Sequence, residues 1–166
     1  MNAKDVLFYG HDFVLRNLAD LPMSHWDTQN VCGWWSTKDI LSHLTSFEDV
    51  LVETLQGLVG GGPTPHRDAM INDHGKFNDD EVAERKDKSA SEVFDEYQAR
   101  HAETMALIVR IPAEVIRQPG TLPWYGADYS LDDLIVYQYY GHKREHTAQI
   151  NVFKDLLKQN GTLPKA

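Results

Sequence analysis

The chain has 166 residues, 42% of them hydrophobic, enough for one domain with a buried core and too few for a second. Its formal net charge of −9 argues against a nucleic-acid partner, because phosphate binding rests on clustered Lys and Arg. A lone cysteine, Cys32, excludes an internal disulfide and a thiolate-rich metal site, so any metal has to sit on histidines and carboxylates.

No apolar run approaches the roughly 18 to 20 residues of a membrane span, and Met1-Asn2-Ala3-Lys4-Asp5 lacks the features of a signal peptide, so a cytoplasmic protein with no membrane contact is expected. Asn2-Ala3-Lys4-Asp5 opens a first helix in which Leu7, His11, Val14, Leu15 and Leu18 recur at helical spacing; it is predicted over 3–20, before Leu21-Pro22. Ser36-Thr37-Lys38-Asp39 has the Ser-x-x-acid form of a helix start and leads into Ile40, Leu44, Phe47, Leu51, Leu55 and Leu58. That second helix stops at Gly60-Gly61-Gly62-Pro63.

A connection of about 30 residues comes next, far beyond the 2 to 8 typical between neighbours in a bundle, so it has to cross over the bundle or carry structure of its own. A short helix is predicted over 79–86. Ser89-Ala90-Ser91-Glu92 starts a third helix carrying Val93, Phe94, Tyr97, Met105 and Ile108, which ends near Ile111-Pro112. Ser130-Leu131-Asp132-Asp133 starts a fourth, with Leu134, Ile135, Ile150, Phe153 and Leu157, which ends around Asn160-Gly161. No segment alternates with the period of a strand, and the fold class is therefore all-α, one four-helix domain over 1–166.

His142 and His146 stand four residues apart, about 40° apart on a helix wheel, and can chelate one ion. Most metals need a third ligand. His43 is close in angle to Ile40, Phe47 and Val50 on the second helix, at the edge of its buried stripe, where a crossing fourth helix could meet it. On the fourth helix Ile135, Gln138, His142, His146, Gln149 and Phe153 share one face, and burying so many polar groups demands partners. For a bare His-x-x-x-His pair, ordinary exposed or hydrogen-bonded histidines are the commoner outcome, so the pattern alone leaves both readings open.

Rival chemistries are harder to place. His142-Lys143-Arg144-Glu145-His146 reproduces His-x-x-Glu-His literally, but an inverted zinc peptidase takes its third ligand farther downstream than residue 166. The residues three before His43, His101, His142 and His146 are Ile40, Gln98, Tyr139 and Lys143, so the Glu-x-x-His pairs of carboxylate di-iron bundles are missing. Neither a phosphate-binding Gly-rich loop nor a Gly-x-Ser-x-Gly elbow occurs.

The run from Trp35 to Leu44, which includes Ser36-Thr37-Lys38-Asp39 and His43, and the run Tyr140-Gly141-His142-Lys143-Arg144-Glu145-His146-Thr147-Ala148-Gln149-Ile150 together resemble the DinB-like family over almost the whole chain. The resemblance implies an up-down-down-up four-helix bundle with its long crossover between helices two and three. It also implies one divalent metal ion, nickel or zinc, on His43, His142 and His146, with positions open to water or substrate. Known activities in that family include transferases and isomerases that use low-molecular-weight thiols, so a small-molecule substrate and a thiol S-transferase or hydrolase chemistry are implied, as is a homodimer through helix faces. A non-catalytic metal- or ligand-binding bundle is the alternative.

Other residues keep two readings each. Glu145 is a general base or a solvated carboxylate on the flank of the ligand face, and Gln138 and Gln149 either orient the ligands or bridge helices. His11 and His101 are extra ligands, proton shuttles or core histidines with satisfied hydrogen bonds. Cys32 precedes the positive end of helix two, which favours thiolate, but no nearby base supports a covalent role. Trp34, Trp35, Trp124 and Tyr125 floor a pocket or wedge loops onto the bundle, and Trp26 reads as a wedge.

Overall fold

A computed structural model describes residues 2–164, and among them every regular element is helical. The long elements are α1 (Ala3–Leu18), α2 (Thr37–Val59), α5 (Ala90–Ile108) and α8 (His142–Gln159). Shorter helices α3 (Pro65–Asn72), α4 (His74–Glu84), α6 (Ala113–Arg117) and α7 (Leu131–Leu134) fill the connections. A lone bridge between Cys32 and Trp35 is the single strand-like pairing among these residues. None of the helices is long and apolar enough to cross a membrane.

The starts follow from the caps. Ser36, Ser89 and Ser130 each close a reciprocal capping box with Asp39, Glu92 and Asp133, satisfying two backbone donors that a helix end otherwise strands. Asn2 caps α1 more weakly, accepting from Asp5 N at 3.4 Å. The crossover is richer than the one helix predicted over 79–86: α3 and α4 together run from Pro65 to Glu84. Pro65 at the first turn of α3 and the Asp73 cap of α4 supply its two starts.

The fourth predicted helix is a composite, in which α7 passes through a π-helical segment, Ile135–Gly141, into α8. Such wider turns shift the angular phase of the residues on their far side, and this explains why Gln138 is exposed although the simple wheel puts it beside Ile135 and His142. Two glycines permit the geometry. A Cβ on Gly141 would meet the Val136 carbonyl oxygen at 3.3 Å, and one on Gly10 would meet the Tyr140 ring at 3.2 Å, where α1 lies against the π-helical segment.

Contacts run in step along two pairs of helices. Lys38 on α2 donates to the Lys86 and Lys88 carbonyls just ahead of α5, Asp49 pairs with Arg100, and Gln56 donates to Glu103. On the other pair Gly10 of α1 approaches Tyr140 and Lys143, while Asn17 accepts from Asn151 and Lys154.

The core is two apolar clusters with a polar layer between them. One cluster holds Leu7, Leu51, Leu107, Ile135 and Tyr139, and the other holds Val14, Leu44, Tyr97 and Ile150. Between them in sequence, each long helix places polar side chains: His11, Glu48, His101 with Thr104, and Lys143. Glu48 is fully buried and Lys143 is 2% exposed. The Glu48 carboxylate accepts from Lys143 Nζ and, at 2.7 Å, from Thr104 Oγ1, and His101 Nδ1 lies 3.5 Å away. Burial alone would raise the Glu48 pKa. The Lys143 charge, the nearby His101 and the hydrogen bond from Lys143 outweigh it and hold the carboxyl well below its ordinary range.

Removing one partner of such a pair strands a charge in the core. Lys143→Met should therefore lower stability by about 3 to 5 kcal/mol in urea unfolding, and the double variant Glu48→Leu with Lys143→Met should recover part of that loss. A double variant less stable than Lys143→Met would show that the pair is not the dominant interaction of the layer.

Candidate metal centre

Two helices bring one histidine group together. His43 sits in the second turn of α2, buried at 3% exposure, and His142 and His146 occupy the first turns of α8. His142 Nε2 is 2.9 Å from His43 Nε2 and 2.9 Å from His146 Nε2. The three donor atoms form a group that could hold a metal ion. Phe47, whose ring centroid is 4.9 Å from His43 and 4.5 Å from His142, closes one side. Trp35 closes another, 4.9 Å from His43 and 6.3 Å from His146.

The electrostatics keep these imidazoles neutral. Burial, and then repulsion from the neighbouring histidines, lowers His43 to about 2. Burial, and electrostatic repulsion from His146, His74 and Lys143, lower His142 to about 3 against an opposing main-chain hydrogen bond with Gln138. His146 is also lowered by burial, with Gln149 and Glu145 opposing. Neutral imidazole is the form that ligates metals.

Tautomers sharpen the point. His146 Nδ1 lies 2.8 Å from Gln149 Oε1, an acceptor, so its proton sits on Nδ1 and Nε2 presents a bare lone pair. That lone pair faces His142 Nε2, which is also in contact with His43 Nε2. A cation among three Nε2 atoms this close would take up the lone pair that each presents when its ring proton is on Nδ1.

A family model described as the DinB superfamily matches residues 12–150. The chain belongs to the DinB superfamily. A search of curated proteins and a search of solved structures each find no match. The matched span includes all three histidines of this DinB-superfamily chain.

The remaining singled-out residues divide. Gln149 touches His146 directly, whereas Gln138 reaches His142 through its main chain. Glu145 is exposed and lines a cleft of about 470 Å³ with His142, Tyr137 and Gln138. His11 and His101 do not join the three. They stack on each other at 3.8 Å in the polar layer. Burial, followed by the charges of His101 and Lys143, lowers His11 to about 3. Cys32 has its pKa raised by burial and by Glu145, against the thiolate tendency of its position before α2. Trp26 is a wedge, buried at 2% and donating to the Leu21 carbonyl at 3.1 Å. Trp34 is 71% exposed, while Trp124 and Tyr125 line a small cavity beside Phe47.

Sequence reasoning missed the crossover histidines. His74, at the start of α4, lines the same cleft as His142, with its ring 5.9 Å from Phe47. His66 on α3 belongs to a second group with Asp49 and Glu81 whose atoms lie close enough to hold a metal. Protein cations already occupy its carboxylates. Arg85 bonds Asp49 at 2.9 Å and Glu81 at 2.7 Å, and Arg100 Nε bonds Asp49 at 2.7 Å. His66 Nδ1 is 2.6 Å from Glu53, which also accepts from the His66 and Arg67 backbone at 3.2 and 2.9 Å. This cluster clasps the crossover onto α2.

Burial acts to lower the His66 pKa, but the Glu53 hydrogen bond and the charges of Asp49, Glu81 and Glu53 raise it above its ordinary 6.5. A raised histidine stabilises fully below its unfolded pKa of 6.5, and that contribution is lost as the pH rises through the folded value. His66→Gln should therefore cost more stability at about pH 6 than at about pH 8, read from urea midpoints. An equal cost at both would remove the charged clasp.

Proposed function

We propose that His43, His142 and His146 bind one divalent ion, nickel or zinc, and that the protein is a metal-dependent enzyme acting on a small molecule. The observation that carries this is the convergence of three neutral Nε2 atoms, one of them with its proton fixed on the far nitrogen by Gln149. Two nitrogens each about 2.1 Å from one ion lie about 3.4 Å apart at a tetrahedral angle and about 3.0 Å apart at a right angle. The two 2.9 Å separations would put the three nitrogens within reach of a single nickel or zinc ion. A structural zinc site would close its fourth position with protein, and the cleft beside His142 supports an open one.

A bound ion there would supply acidity to a coordinated thiol or water, the basis of a thiol S-transferase or a hydrolase. The chain's own residues do the rest. Gln149 orients the His146 ring, Trp35 and Phe47 exclude water from two sides, and Glu145 and His74 in the cleft wall are placed to take up a proton. A low-molecular-weight thiol as co-substrate rests on family membership. The net charge of −9 supports a small-molecule partner over nucleic acid.

We read the four long helices as an up-down-down-up bundle, supported by the in-step contacts of α2 with α5 and of α1 with α8. A homodimer through α1 and α8 is supported by their exposed Phe8, Tyr9, Val152 and Leu156, which are 51 to 62% exposed. Sedimentation velocity should then give a dimer, and a monomer at micromolar concentration would count against it.

Elemental mass spectrometry of the purified, tag-free protein should find about one nickel or zinc ion per chain, lost when His43, His142 and His146 are replaced by alanine. No metal in the wild type, even after incubation with either ion, would leave a non-catalytic ligand-binding bundle as the reading.

A further inference from the structure

The cleft beside His142 does not end at the metal ligands. It shares Phe47, His74 and Gln138 with a second, narrower cavity of about 140 Å³. The remaining wall of that cavity is Met70 from α3, Trp124 and Tyr125 from the loop before α7, Leu134 and Tyr139. The polar groups thus stand on the side of the cleft, and the far wall is aromatic and aliphatic.

Size and shape select the occupant. An apolar cavity of about 150 Å³ takes one benzene ring and stays dry without one. The rings here stand edge-on to one another: Trp124 to Tyr125 at 62° and Phe47 to Tyr139 at 67°. Such walls offer the edge and face contacts that aromatic ligands prefer. Phe47 is the partition, since its ring packs against His142 at 4.5 Å and also faces the cavity. A ligand seated beyond Phe47 is therefore one ring's width from the histidine group.

We infer that this site accepts small molecules made of a metal-binding polar head and a single benzene-sized ring, the head at His142 and the ring in the Met70–Trp124–Leu134–Tyr139 cavity. The inference rests on the metal reading above and adds the substrate class. A flat ring displaces little ordered water from so apolar a pocket and buries most of its own surface there, which is the usual source of small-molecule affinity. Gln138 and His74 line both the cavity and the cleft, so polar groups stand where the ring joins the head.

The test uses two probes with the same chelating head, acetohydroxamate and benzohydroxamate, titrated calorimetrically into the metal-loaded protein. Benzohydroxamate should bind tighter on the order of thirtyfold. In Met70→Trp, which fills from the small helix α3 a cavity lined by none of His43, His142 and His146, that preference should collapse while the acetohydroxamate affinity and the metal content stay as in the wild type. Acetohydroxamate binding with no gain for the ring overturns the aromatic subsite and leaves the metal site intact. A preference that survives Met70→Trp equally overturns it, because the ring then sits elsewhere. If neither hydroxamate binds, the open metal site fails and the substrate class fails with it.

Discussion

The placement of the histidine group depends on one carboxylate. Glu48 is fully buried at the middle of α2 and receives Lys143 from α8 and Thr104 from α5, with His101 at 3.5 Å. A buried charge tolerates no sliding, because moving any of these helices by a turn strands the carboxylate in hydrocarbon. The apolar clusters on either side constrain the register less sharply, because hydrophobic burial is non-directional. The polar layer supplies the register that hydrophobic packing leaves degenerate, as single buried polar residues do in coiled coils.

The layer and the histidine group are adjacent in the chain. Lys143 follows His142, and Glu48 follows Phe47. About 100° of helix rotation separates neighbours, so each helix presents the layer on one side and the site on the next. Fixing the Glu48–Lys143 contact fixes the rotation of α8 about its axis, and with it the convergence of the Nε2 atoms at 2.9 Å. The wider turn over Ile135–Gly141 then sets how α7 and Gln138 are phased against that face.

The same arrangement separates the legible residues from the illegible ones. Capping boxes are local, so Ser36, Ser89 and Ser130 announce their helices without any knowledge of the fold. His43, His142 and His146 are legible because two of them share a helical face and the third sits on a periodic stripe. The buried role of Lys143 is illegible: a lysine between two ligand positions reads as solvent-facing, and only the position of Glu48 on another helix reverses that. The same holds for His66 and His74, whose register on the crossover is set by contacts with Asp49, Glu53 and Phe47 rather than by any spacing of their own. Gln138 stays beside His142 in the cleft wall but is exposed, a degree of exposure that a wheel of constant pitch does not give across π-helical turns.

Labour is divided between the bundle and its long connections. The histidines lie on α2 and α8, the helices that the Glu48–Lys143 contact joins. Half of the residues lining the adjoining cavity, Met70, His74, Trp124 and Tyr125, come from the crossover and the loop before α7. The crossover is held to α2 at several points, by Arg85 on Asp49, His66 on Glu53 and Lys38 on the Lys86 and Lys88 carbonyls. Substitutions in α3 or the α6–α7 loop can therefore reshape the cavity while Glu48 and the three histidines stay fixed. The bundle thus fixes the three histidines, and the connections shape the cavity next to them.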